Sequence, residues 1–289
     1  MKKRSFDYLF NIAEQIQQTS ALEAKQIAFV PRLMATASLP VRDLKDSEFV
    51  RRNGNRTLTM VASRDIGLPY GAMPRLALCT ITTLSKQTQS NVITLGSSTT
   101  QFLNLMGKAC TGGKYGSLTY AREQLKRLLS CTIQLTENSE QRWDMASLRI
   151  SQSATILWQP CSPYRWQSQL ILSDEFFQHA QQYAIPIDLR VLHACGHYPL
   201  AIDVYCWLTY RYFSLKRPIS ISWADLMIQF GNSYQRNAHF KTNFREALER
   251  VFLFYPQARF NIDQFGVQLL PSPTHVPTKD LNQFLHPGE

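Results

Sequence analysis

Between Pro74 and Leu270 the hydrophobic pattern passes twice through one order of elements, and that order limits the fold more than any single motif. In the first pass, Pro74–Lys86 has helical spacing, with proline in the first turn where its missing N–H costs little. Asn91–Leu95 reads as a short strand, and Ser97 or Ser98 can cap a helix to about Met106. The glycine-rich Thr111–Gly116 is a turn. Ser117 then caps a helix to about Leu129, whose apolar stripe is Leu118, Ala121, Leu125, Leu128 and Leu129. Thr132–Thr136 and Ser147–Trp158 follow as a hairpin, with the turn starting at Glu137. In the second pass, Gln167–Leu172 is a strand, Ser173 caps a helix to Gln182 and Asp188 starts a short one. Pro199 opens an aromatic-rich helix to about Leu215, Ile219–Ser222 is a strand, and Trp223–Phe230 is a helix stopped by Gly231. A long helix Tyr234–Phe254 and a hairpin of Arg259–Ile262 with Val267–Leu270 complete it. Helix, strand, helix, turn, helix, hairpin is the order of a winged helix-turn-helix. The recurrence is one of pattern, without a residue-by-residue repeat.

Upstream, residues 1–20 have a helical stripe of Phe6, Leu9, Phe10, Ile12, Ala13 and Ile16. Residues 31–56 are polar, with Pro31, Pro40 and a basic run from Arg51 to Arg56, and read as a loop or mobile arm. Leu58–Ala62 looks like a strand, and Pro160 with Pro163 suggests a linker. The expected fold is α+β: an N-terminal helix and arm over 1–56, then tandem winged-helix domains over 57–162 and 163–289. A length of 289 residues suits two such domains.

The net charge of +10 lies wholly in the first half. Residues 1–165 carry 21 basic and 11 acidic side chains, and residues 166–289 carry 10 of each. Such a field attracts polyanions, of which nucleic acid is the commonest. On the helix Ser117–Leu129, with Leu125 turned inward, about 100° per residue places Thr119, Tyr120, Glu123, Lys126 and Arg127 outward and Arg122 on the flank. Lys114 and Tyr115 precede its N-terminus, which favours phosphate. On the helix Tyr234–Phe254, the stripe Phe240, Phe244, Ala247, Leu248 and Val251 leaves Gln235, Arg236, His239, Thr242, Asn243 and Glu246 outward, with Lys241 and Arg245 on a flank. Arg suits guanine, and Asn or Gln suits adenine. The competing reading of each face is an ordinary solvated helix surface.

Catalytic signatures are missing. GKACTGGK from Gly107 has a phosphate loop's glycine spacing, but Gly113 stands where its lysine should be and Tyr115 replaces the magnesium-binding hydroxyl. His193 and His197 are four apart, yet Gly196 and Pro199 break the helix that would align them, and no carboxylate follows as in HExxH. The six cysteines form no CxxC pair and suit reduced thiols. No catalytic residue, metal or cofactor is expected, and no enzymatic activity. No apolar run approaches a membrane span. Asp7, Asn11 and Glu14 interrupt what would be a signal-peptide core, so the bacterial cytoplasm is the expected location.

Residues 185–276 carry a resemblance. They contain IPIDLRVLHACGHYPLAIDVYCWLTYRYFSLKRPISISWADLMIQFG, then FKTNFREALERVFLFYPQARF, and run into GVQLLPSPTHVP. This stretch resembles the C-terminal region of the RepA family of plasmid replication initiators, and GSLTYAREQLKRLLSCTIQL resembles that group's first recognition region. Ala201-Ile202-Asp203 stands for the usual Ala-Leu-Asp, and the turn with His193, Cys195 and His197 is less typical. The resemblance implies a winged-helix initiator that binds directly repeated sites in double-stranded plasmid-origin DNA. It implies melting of adjacent A·T-rich DNA, recruitment of host replication proteins (initiator, helicase or primase), autorepression and, in many members, dimers. A winged-helix repressor is the alternative. A nickase or primase would need clustered carboxylates or a His pair with a nucleophilic Tyr, and neither is found.

Overall fold

The computed structural model describes residues 3–96, 98–138, 143–156, 168–231, 234 and 236–285. The chain opens with α1 (Lys3–Gln18), which buries Leu9, Ala13 and Ile16 at helical spacing and leaves Phe10 exposed. Then come β1 (Ile27–Val30), α2 (Arg32–Thr36), β2 (Glu48–Asn53) and β3 (Arg56–Val61). The first pass is built from α3 (Ala72–Thr88), β4 (Val92–Thr94), α4 (Thr99–Leu105), α5 (Ser117–Ser130), β5 (Thr132–Asn138), β6 (Trp143–Arg149), β7 (Ser151–Thr155) and β8 (Gln169–Leu172). After it stand α6 (Asp174–Tyr183), β9 (Ile185–Asp188), α7 (Leu189–Ala194) and α8 (Pro199–Ser214). The second pass ends with β10 (Ile219–Ser222), α9 (Trp223–Phe230), α10 (Asn237–Phe254), β11 (Phe260–Ile262) and β12 (Gly266–Leu269), and α11 (Thr278–Leu285) follows.

Among the described residues the α+β class is realised in four antiparallel sheets. Their strand orders are β1-β9, β2-β3-β5-β6, β4-β8-β7 and β10-β12-β11. The two three-stranded sheets share one connectivity. A strand leads through two helices into a hairpin, and the hairpin's second strand inserts beside the first: β8 beside β4, and β12 beside β10. In the first pass the hairpin β5–β6 intervenes and continues the β2–β3 sheet.

Three expectations are corrected. Residues 31–56 are ordered chain: Leu33, Met34, Ala35, Ala37 and Leu39 are buried, and β2 pairs along its length with β3. Within β2, alternation turns Phe49 and Arg51 inward and Val50 and Arg52 outward, so Arg51 is only 1% exposed. The second correction concerns Ser147–Trp158, which is two strands. β6 pairs with β5, the buried Ile150 marks the crossover, and β7 pairs with β8 in another sheet. Trp158 and the Pro160–Pro163 boundary lie outside the described residues. The third is Ser117, which begins α5 after an N-cap of Gly116.

One apolar core runs from Leu9 to Leu269. At its centre α3 is apolar on nearly every side from Leu76 to Ile81 and packs against β1, α5, α6 and α8. Arg75 of α3 reaches Asp203 of α8, both fully buried, with Nε–Oδ1 and Nη2–Oδ2 each at 2.7 Å. The segment around Tyr205, Tyr255 and His275 closes the far side, where the Tyr205 hydroxyl meets His275 Nδ1 at 2.7 Å.

Candidate nucleic-acid interface

α5 is presented by the loop before it. The Ser117 hydroxyl donates to the Ala109 carbonyl at 2.5 Å and accepts from the Thr111 N–H at 2.9 Å. Thr119 Oγ1 donates to the Gly113 carbonyl at 2.8 Å. This fastens the turn carrying Lys114 and Tyr115 to the helix start. Lys114 is exposed, its ammonium 5.6 Å from the Tyr115 ring centroid, and Tyr115 is 92% exposed. Buried Ala121, Gln124, Leu125 and Leu128 fix the rotation of the helix, which leaves Thr119, Glu123 and Lys126 exposed and Arg122 half-buried.

Two residues expected on that outer face are turned inward. The Tyr120 hydroxyl donates to the Tyr70 carbonyl at 3.2 Å, the two rings stand edge to face, and burial pushes its phenol up to about 12. Gly71, at φ +78, makes room for it: a Cβ there would lie 2.5 Å from the Tyr120 hydroxyl. The Arg127 side chain donates to the Leu68 carbonyl at 3.1 Å and to Glu123 at 2.6 Å, lies 3.6 Å from Asp43 and covers the Tyr70 ring. The cover over this flank comes from residues 43 and 68–71, more than 45 residues away in sequence, so helical periodicity could not reveal it.

In the second half, α10 buries Phe240, Phe244, Ala247, Leu248, Val251 and Phe254. Arg236 is its N-cap residue, and Arg236, His239, Thr242, Asn243 and Arg245 are exposed, with Lys241 half-buried. Thr242 Oγ1 also donates to the Ala238 carbonyl at 3.1 Å. Gln235 lies outside the described residues. Sequence reasoning missed the residue that organises this face. Trp223, first in α9, holds Lys241 Nζ at 5.6 Å and Arg245 Cζ at 5.3 Å over its ring. Its indole N–H donates to the Asp263 carbonyl at 3.1 Å and its backbone N–H to the Phe265 carbonyl at 3.0 Å. Its place at the start of a helix was visible, but its two cations approach only in three dimensions.

The His193–His197 turn docks on Gly107 and Lys108. Lys108 Nζ donates to the Gly196 carbonyl at 2.8 Å, and a Cβ at Gly107 would lie 2.5 Å from the His193 ring. Burial lowers the pKa of His193. Among the described residues no cluster of three metal-ligating side chains occurs, and no helix is long and apolar enough to cross a membrane.

Two solved structures share the fold. One holds domains 2 and 3 of RctB as a selenomethionine derivative. It is 15% identical, with a TM-score of 0.53, covering 76% of this chain and 82% of that one. A second, of RctB domains 2–3, is 15% identical with a TM-score of 0.52, covering 82% of this chain and 93% of that one. No curated protein matches. The sequence model of a family described as plasmid-encoded RepA protein matches residues 68–225, from the segment covering α5 to the first turn of α9. That match takes in more than half of the chain, including α5 and the buried Arg75–Asp203 pair, and the chain therefore belongs to the family of plasmid-encoded RepA proteins.

Proposed function

We propose that this protein initiates plasmid replication by binding repeated duplex sites in an origin, with α5 and α10 each lying in a major groove. The observation that carries this reading is the shared connectivity of the β4-β8-β7 and β10-β12-β11 sheets, each with a helix that exposes polar and basic side chains between its first strand and its hairpin strands. In this reading each unit is a winged-helix domain. The domains divide near 57–162 and 163–289, with β2 and β8 joined to the first. Family membership and the basic first half support the assignment to DNA. Melting of adjacent DNA, recruitment of host replication proteins, autorepression and dimerisation belong to the same proposal and rest on the family. The protein acts by binding, without a catalytic step, in the bacterial cytoplasm.

The test is affinity for tiled duplexes from the DNA around its own gene, at about 150 mM salt with competitor. Tight binding to repeated sites supports the proposal, and weak, salt-sensitive binding to every duplex sinks it. If repeats are bound but adjacent DNA never opens, the protein is a repressor instead.

The two helices contribute differently. Arg236→Ala and Asn243→Ala should each cost about 1–3 kcal/mol on the specific site and relax preference at one base pair. Equal weakening on specific and random duplex would remove base reading from α10. Lys126→Ala should weaken all duplexes alike and reduce the slope of log affinity against log salt by about one. An unchanged slope would place Lys126 away from phosphate.

A further inference from the structure

Hairpin turns are built from Gly, Asn, Asp and Ser, whose backbone or side chain suits the bend. The turn joining β11 to β12 instead presents a phenyl ring to solvent, with Phe265 at 73% exposure. The ring stands on a held backbone. Asp263 Oδ1 accepts from the Phe265 N–H at 2.7 Å and from the Gly266 N–H at 2.8 Å, and the Asp263 N–H donates to the Gly266 carbonyl at 3.1 Å. From the other side Trp223 grips the turn through its backbone N–H to Phe265 and its indole N–H to Asp263. Gly266 sits so close to β10 that a Cβ would lie 2.0 Å from the Ile221 carbonyl.

Trp223 also carries Lys241 and Arg245 of α10. A fixed apolar prong and two cations therefore share one anchor. The acidic group at the tip, Asp263, has an oxygen committed to two backbone N–H groups. Asp225 of α9 is likewise turned onto the Ser222 hydroxyl at 2.7 Å. The cations suit the phosphates beside a helix lying in the major groove. A neighbouring apolar side chain then reaches the flanking minor groove, where inserted Phe, Leu or Met side chains unstack a base step and kink the duplex.

We propose that Phe265 is such a wedge: on duplex held by α10, its ring enters one base step beside the helix, unstacks it and bends the DNA. This rests on the proposed DNA binding through α10. It extends that reading from recognition to deformation, the act an initiator must perform on its origin.

The experiment uses the full chain and the tightest duplex from the tiling assay. 2-Aminopurine is placed at successive steps across the bound site, and the ends carry a fluorescence energy-transfer pair. Wild-type binding should brighten one step severalfold and draw the ends together. Phe265→Ala should lose both signals with the salt slope unchanged, and Phe265→Leu should keep part of each. The side chain is exposed, so far-UV circular dichroism should match wild type. If Phe265→Ala brightens and bends the site as wild type does, or if wild type bends no site that it binds specifically, the wedge is wrong. A wild type without site preference would overturn instead the reading on which the wedge rests.

Discussion

Asp203→Ala is expected to lower the unfolding free energy by about 3–5 kcal/mol, a large share of the roughly 5–15 kcal/mol a folded domain has. The carboxylate grips the Arg75 guanidinium at two points, and neither side chain touches solvent. The remaining Arg75 hydrogens go to the carbonyls of Leu39, Pro40 and Gly71, which are dipoles and not charges. A second buried cation makes the loss worse. Arg51 donates to Ser38 Oγ at 2.9 Å, lies over the Phe49 ring, and is pushed down to about 10 by burial. Asp203 is the counter-charge for both, and burial pushes its carboxyl up against the pull of Arg75 and Arg51. Without it, two buried guanidinium groups lose the counter-charge they share. Urea unfolding of the single variants and of Arg75→Leu/Asp203→Leu is the measurement. The double variant should recover part of the loss, because it removes the orphaned charge of Arg75 and leaves only that of Arg51. A loss below about 1 kcal/mol for Asp203→Ala would mean that water reaches the pair.

Acidification from pH 6.5 to about 4 should remove about 3 kcal/mol through His275. The ring is stacked on Tyr255 with centroids 4.5 Å apart, and the Tyr205 hydroxyl, which also accepts from the Asp188 N–H at 2.9 Å, meets its Nδ1. Burial pushes the imidazole down to about 4, from an ordinary value of 6.5. The unfolded chain therefore takes up the proton near pH 6.5, and the native chain only near pH 4. The contribution is complete above 6.5 and is lost as the pH falls through that window. Carboxylates titrate over the same range, so the quantity to measure is a difference of differences. Stability at pH 7 minus stability at about pH 4.5 should be smaller in His275→Gln than in wild type by most of that amount. An equal difference in both would show that His275 is protonated in the native state.

The same neighbourhood explains the tail sequence LLPSPTHVP. Tyr255 donates to the Pro273 carbonyl, Arg259 to that of Pro271, and the Arg259 N–H to Ser272 Oγ at 2.9 Å. The motif is a clasp that returns the chain onto α8 and α10, with no ligand needed to account for it.

Elements with a local cause were legible in the sequence. Ser98 caps α4, Ser173 caps α6 and Asp188 caps α7, each accepting an N–H of the first turn. Pro199 opens α8 and Gly231 closes α9. Elements that depend on distant partners were not. The four apolar residues of β1 are a strand only because residues 185–188 lie beside them, with Thr83 Oγ1 taking the Phe29 N–H at 2.8 Å. Even α5, whose stripe is plain in the sequence, lost Arg127 and Tyr120 from its outer face to residues 43 and 68–71. On α10, Arg236, His239, Thr242 and Asn243 are exposed where the periodicity put them, whereas the gathering of Lys241, Arg245 and Phe265 around Trp223 needed the fold.

The pairing of β1 with β9 also sets a clock on synthesis. Its strands are about 160 residues apart, so at about 5–20 residues per second a ribosome needs roughly 8–30 s between making one and releasing the other. For that interval Ile27, Ala28, Phe29 and Val30, all but invisible to water in the finished protein, have no partner strand. The N-terminal third of the nascent chain must therefore wait, unfinished, for the middle of the message to be read.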